Sequence, residues 1–386
     1  MKASEFPDPF KTARTTDGVL QMTDHGESVH MVLRMDDLRA CAKNWETFSS
    51  GTAIPGRIVV PSEEDIREVR QIPVETDPPV HAAFRKLLDV WFKRPLDKAY
   101  QEVLEKMIDE LLDEVLQMDR LEVVSDFALK LQSHALTLLL NVPCEEATTW
   151  ISWGTHVFRS EATSLDKDKS AVLDDYIARQ IDQAIKTPGK DIYSQLLAAE
   201  VDGRKLTREE VHGISNLTFA GGRDTVINVI TNTFAYLAEN PQHLEQLHQS
   251  PRMAALAVEE LVRYFAPLTH LGRISTKQTT VCEHAIQQDQ KISLCWAAAN
   301  RDESVFDHPD EVQLDRRQNP HVGFGFGHHK CLGATHARQV IRLMLTQLAN
   351  KVKSIEILDY QENHEGLGDI SRKVGFDELN VRLIRR

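Results

Sequence analysis

The chain has 386 residues, 41% hydrophobic and 27% charged, with a formal net charge of −13. That is enough chain for a large core and the composition of a globular protein, and the acidic balance speaks against a general nucleic-acid binder. The opening MKASEFPDPFKTARTTDGV has no apolar run, and no segment approaches ~18 uninterrupted apolar residues, so no leader, no membrane anchor and a cytoplasmic location are expected.

In chain order, residues 29–34 (VHMVLR) alternate as a strand. DPPVHAAFRKLLDVWF starts on a proline pair and is amphipathic over residues 80–92. Residues 96–118 read as a long helix with an acidic outer face, and residues 125–141 as a more buried helix opening at a Ser125 cap. Residues 170–185 make a further helix, stopped by KTPGK. Thr207 to Glu210 (TREE) is a capping box. The helix it opens runs to Glu239, roughly 50 Å at ~1.5 Å per residue. Residues 253–265 and 333–352 are helical, and 273–282, 291–298 and 378–384 are β-like. No repeat, low-complexity tract or linker divides the chain. Residues 1–386 therefore read as one domain, mainly α with small β-sheets contributed by distant segments. The five scattered cysteines (Cys41, Cys144, Cys282, Cys295, Cys331) make no disulfide framework and read as reduced and mostly buried.

Four stretches carry more than fold. FGFGHHKCLG, residues 324–333, gathers three glycines and two histidines around Cys331. Glycines permit close approaches that a Cβ forbids. Backbone donors and the helix that begins after Cys331 favour thiolate over thiol, and a thiolate held this way is a good axial ligand for haem iron. The competing readings are a buried structural cysteine, or a zinc site on His328, His329 and Cys331, for which no CxxC or HxxxH lies nearby. In AGGRDTV, Gly221 and Gly222 interrupt the long helix at a cost of up to about 1 kcal/mol each, which points to a kink with a purpose. His81 and Arg85 lie four apart on one helical face, and Glu260 and Arg263 three apart on another.

Together these stretches resemble the cytochrome P450 family. Phe324, Gly325, Gly327, His329, Cys331, Leu332 and Gly333 match its haem-ligand loop, F-G-x-G-x-H-x-C-L-G. The resemblance, which covers the chain from about residue 30 to the end, implies the family fold: a long central helix over the haem and a cysteine-ligand loop beneath it. It implies haem b, with Cys331 on the iron. It implies a gap for dioxygen beside Gly221, Thr225 holding water and dioxygen, and Asp224 relaying protons. Arg223 between them departs from the small or apolar residue of many members. His81, Arg85, Arg273 and His329 correspond to the propionate clamp. Glu260 and Arg263, with Arg316 or Arg317, correspond to a structural lock beneath the loop. The implied reaction is monooxygenation. With no flavin or iron–sulfur domain attached, a ferredoxin or flavodoxin and its reductase must supply electrons, and Lys86, Lys93, Arg94, Lys330, Arg338 and Arg342 offer a basic patch for one. A peroxide-driven enzyme or a non-catalytic haem-binding module are the other readings; the presence of Asp224, Thr225 and Cys331 weighs against both.

The small-molecule substrate is less legible. Substrate contacts are expected in residues 51–76, around Trp150, Trp153 and His156, near Leu217, Ala220 and Pro267, and near residues 374–376. Arg57, Glu63, Glu64, Arg67, Arg70, Thr269 and His270 make these stretches polar, which suits a hydroxylated ring better than a terpenoid. The whole resembles bacterial members that oxidatively demethylate 6-O-methyl-D-galactose. Hydroxylation of a small apolar ring compound is the second reading.

Overall fold

The computed structural model describes residues 2–24, 27–51, 69–155, 159–160, 164–165 and 167–386. The helix Val80–Phe92 buries His81, Phe84, Leu88 and Phe92, one stripe at three- and four-residue spacing. Lys98–Val115 does the same with Tyr100, Leu104, Ile108, Leu112 and Val115. The segment expected to open at Ser125 starts earlier. Glu122 is its cap, accepting from the Val124 and Ser125 N–H groups. A wider π turn, Val123–Leu129, then feeds the α-helix Lys130–Leu140. A carboxylate reaching the amides two and three residues ahead outcompetes the serine further in.

The capping box forms as read, with Thr207 and Glu210 each meeting the other's amide. Its helix is two helices, Arg208–Gly222 and Asp224–Glu239, with Arg223 at the break. The break also separates two hydrophobic clusters. Phe219 and Ile214 pack with the helices at Val80–Phe92 and Ile192–Ala198, whereas Val226, Ile230 and Phe234 pack with Lys98–Val115, Ala254–Phe265 and Ala334–Lys351.

Residues 273–282 divide into two strands, His270–Ser275 and Thr279–Val281. The first joins a five-stranded sheet in the order Val19–Asp24, Glu27–Val32, Lys291–Cys295, His270–Ser275, Phe48–Ser49. Only the pair of Glu27–Val32 with Lys291–Cys295 is parallel. The central strand is buried at all five positions, which is why KISLC lacks alternation. The strand expected at 378–384 is the end of a long hairpin, Val352–Leu367 with Ile370–Arg385. Asn232 in the central helix donates to Val374 O at 3.0 Å and holds that hairpin against it. All five cysteines are free, but only Cys41 and Cys295 are buried; Cys282 is half-buried, and Cys144 and Cys331 are exposed. Among the described residues no helix is long and apolar enough to cross a membrane.

Candidate active site

The loop before the helix Ala334–Lys351 is shaped by its glycines. Gly325 and Gly327 take φ of +70° and +72°, angles that cost an L side chain energy. A Cβ on Gly327 would lie 2.8 Å from Ala42 O. The turn closes with Cys331 N–H donating to Phe324 O at 2.7 Å. Burial pushes the Cys331 thiol up, although its surface area is exposed. Both hold when the sulfur opens onto an enclosed surface rather than onto bulk water. The amides of Gly333 and Ala334 and the guanidinium groups of Arg85 and Arg338 pull the other way, toward thiolate.

Beside this loop three buried polar atoms have no partner among the described residues: His81 Nε2, His329 Nε2 and Arg273 Nη2. The two imidazole rings are 4.2 Å apart. Burial lowers His81 to about 4, with Arg85 next, and lowers His329 to about 2, with Arg273 and His81 next. Burial brings Arg273 to about 10. Three donors from three distant segments are thus pressed together, each disfavouring a proton or charge on the next. An anion among them would reverse that sign and satisfy the orphaned atoms. The cluster fits the carboxylates of a haem. Arg85 stands apart from it in its bonding: Nε donates to Asp89 at 2.9 Å and Nη1 to Lys330 O at 2.6 Å. It braces the cysteine loop.

At the break, Thr225 Oγ1 donates to Gly221 O at 3.0 Å. A Cβ on Gly221 would meet nothing within 4 Å, so the chain opens there. Arg223 is fully buried; its Nη2 donates to Trp150 O at 3.0 Å and Gly154 O at 2.6 Å, while Nε and Nη1 have no hydrogen-bond partner among the described residues. Asp224 is its nearest countercharge, and burial lowers its pKa.

Glu260 is fully buried and forked onto Arg263, with both bonds at 2.8 Å. Arg316 supplies the third member at 3.0 Å, while Arg317 is exposed. Asn319 and the Gln313 amide complete the carboxylate's shell. A second lock was not read from sequence. Glu259 takes Arg338 at 2.7 and 2.8 Å and His321 at 3.0 Å, and Arg338 stacks 4.3 Å over the Phe324 ring. The adjacent carboxylates of EELVRY were its only trace.

Other expectations fare differently. Trp150 is core, edge-on to Phe219 at 5.0 Å, rather than substrate-facing. Thr269 is buried and accepts from Arg372 at 2.8 Å, and His270 meets Ser293 Oγ at 2.6 Å. Arg70 donates to Glu75 O at 2.8 Å. Arg57, Glu63, Glu64, Arg67 and His156 lie outside the described residues. Among the described residues no three His, Cys, Asp or Glu side chains are placed to hold a metal ion, so the zinc reading gains nothing.

The sequence profile of the family described as Cytochrome P450 matches residues 155–351. The chain belongs to the cytochrome P450 family. P450s of this family bind haem b and act as monooxygenases on small molecules, with electrons from redox partners. This P450 is 30% identical to the probable cytochrome P450 127A1 of Sinorhizobium fredii, over 87% of this chain and 79% of that protein. It is 28% identical to the biotin biosynthesis cytochrome P450 of Bacillus subtilis, over 79% of each. Its structure superposes with a TM-score of 0.97 on one described as that of a carbohydrate active P450, 57% identical and covering 100% of both chains.

Proposed function

We propose that this P450 is a cytoplasmic O-demethylase of a small methylated sugar, 6-O-methyl-D-galactose being the best candidate. What supports the sugar is the 57% identity, over both whole chains, to a carbohydrate active P450. What supports the haem site is the trio of orphaned buried donors beside the Cys331 loop. In this reading residues 1–386 form one haem-binding domain. Cys331 supplies the thiolate, seated among Phe324, Gly325 and Gly333. His81, Arg273 and His329 take the propionates, and Arg85 steadies the loop near them. Bound haem supplies the dioxygen-activating chemistry, which no side chain provides.

The protein's share is placement and protons. Gly221 leaves room beside the break. Thr225, whose hydroxyl spends its proton on Gly221 O, presents its lone pairs to a water in that room. Asp224 takes protons from the solvent side and passes them inward. Glu260 and Arg263 hold the floor of the loop and stay out of the chemistry. Hydroxylation of an O-methyl carbon gives a hemiacetal, which separates into the alcohol and formaldehyde. An acidic ferredoxin or a flavodoxin, with its reductase, delivers the electrons.

The test adds methyl-galactose to the oxidised holoenzyme. A low- to high-spin shift is expected, followed by formaldehyde release with a surrogate ferredoxin system. No shift with the sugar, and a shift with a terpenoid, would move the assignment to hydroxylation of an apolar ring.

A further inference from the structure

The break in the central helix frees more than one carbonyl. In an unbroken helix Gly222 O would accept from Val226 N–H. Here Val226 and Ile227 both donate to Arg223 O, each at 3.1 Å. Gly222 O is taken instead by Gln132 Nε2 at 2.5 Å, from the helix Lys130–Leu140. The same amide nitrogen lies 3.3 Å from His336 Nε2, and His336 Nδ1 lies 3.3 Å from Tyr100 OH. Gln132, His336 and Tyr100 are 0%, 3% and 5% exposed, so bulk water reaches none of them.

Hydrogen-bond logic fixes the polarity of this chain. Gly222 O only accepts, so the Gln132 NH₂ must face it, and flipping the amide would set oxygen against oxygen. The second hydrogen of that NH₂ then points at His336 Nε2, which must be the bare, accepting nitrogen. His336 Nδ1 carries the proton and donates to Tyr100. Burial lowers His336 to about 4, in keeping with a neutral ring. Packing gives no reason for the polarity. The buried neighbours of His336 along its helix are Ala337, Val340, Ile341 and Met344, a stripe that a leucine would continue.

We propose that Tyr100, His336 and Gln132 form a hydrogen-bonded strut from the helix that follows Cys331 to the break in the central helix, with Gln132 the positioning residue that sets the Gly222 carbonyl beside the dioxygen gap. This rests on the reading of the break given above. The strut joins the two sides of the haem site by a route through neither the Cys331 loop nor the Asp224–Thr225 pair. It acts on geometry alone: an amide, a neutral imidazole and a phenol hold a carbonyl in place, and no proton need move.

The test compares Gln132→Leu, His336→Leu and His336→Gln holoenzymes. Two readouts serve: the infrared stretching band of carbon monoxide on the reduced protein, and amide hydrogen exchange over residues 219–228. Both leucine variants are expected to shift and broaden the carbon monoxide band. They should also speed exchange about fivefold, the factor that one neutral hydrogen bond sets in an opening equilibrium. His336→Gln, whose side-chain oxygen can accept from Gln132, should return both toward wild type. Leucine variants with wild-type band and exchange, or a glutamine no better than leucine, would overturn the strut. If a leucine variant fails to fold, Tyr100→Phe, which keeps the core volume, decides by the same two readouts. Exchange needs no haem, so a wild-type protein lacking a thiolate-type carbon monoxide spectrum would count against the haem assignment and leave the strut standing.

Discussion

Arg223 and Arg263 are both fully buried guanidinium groups, and the protein keeps them in opposite ways. Arg263 has a forked carboxylate at 2.8 Å and three carbonyls, so each of its charges and donors is met. Arg223 has two carbonyls on one nitrogen and, among the described residues, no hydrogen-bond partner for the other two. Removing Arg263 takes away the main counterion of buried Glu260, whereas removing Arg223 gives up two bonds but also relieves a buried charge that only Asp224 offsets. Arg263→Met should therefore cost about 3–5 kcal/mol, while Arg223→Met stays within about 1 kcal/mol of wild type. Chemical denaturation of the two proteins checks the contrast, and equal losses would contradict it. The sequence marked both residues but could not separate them. E-x-x-R spacing says that two side chains can meet, not that burial makes the meeting indispensable. Trp150 shows the same limit: a tryptophan near a pocket and one packed on Phe219 look alike in a string of letters.

At the scale of elements, Glu259 pins the helix Ala254–Phe265 to the helix Ala334–Lys351. Burial opposes its ionisation, but Arg338 and His321 outweigh burial and hold its pKa at about 2. A carboxyl lowered on folding stabilises the fold above its unfolded value of 4.5 and loses that contribution as pH falls toward the folded value. The stability gap between wild type and Glu259→Gln should thus be full near neutral pH and shrink between about pH 5 and about pH 2. Urea titrations across that range measure it; a gap independent of pH would contradict the pairing. Helices such as Val80–Phe92 and the Thr207 capping box were legible because apolar spacing and caps are local. The Ser125 cap misled because Glu122, three residues earlier, caps the Val124 and Ser125 amides and starts the helical segment before Ser125. The C-terminal hairpin was read only in part. Residues 352–367 carry Glu356, Asp359, Glu362 and Glu365 among their apolar positions, and four register shifts blur the alternation.

For the molecule as a whole, the expected basic face is narrower than its residue count. Arg338 is spent on Glu259, Arg342 on Gln339 and Gln101, and Arg94 on Leu139 O and the Trp91 ring. Lys86, Lys93 and Lys330 remain exposed. Changing these three to glutamate should slow reduction by an acidic ferredoxin several-fold at low salt. The deficit should fade as salt shortens the screening length to about 10 Å near 0.1 M. Stopped-flow reduction at several salt concentrations tests this, and an unchanged rate at low salt would place the donor elsewhere. The Cys331 loop was legible at once because its glycines, histidines and cysteine sit within ten residues. The cluster proposed for the propionates was legible only through family resemblance, since His81, Arg273 and His329 converge from three distant segments. The Gln132 strut was not legible, because nothing in the spacing of residues 100, 132 and 336 brings them together. The proposed activity depends on Cys331 holding haem through its sulfur. The direct measurement is the carbon monoxide difference spectrum of the reduced protein beside Cys331→Ser. A strongly red-shifted Soret band in the wild type, absent from the serine variant, is the predicted result. A band typical of histidine-ligated haem in the wild type, or a red-shifted band that survives in Cys331→Ser, would contradict it.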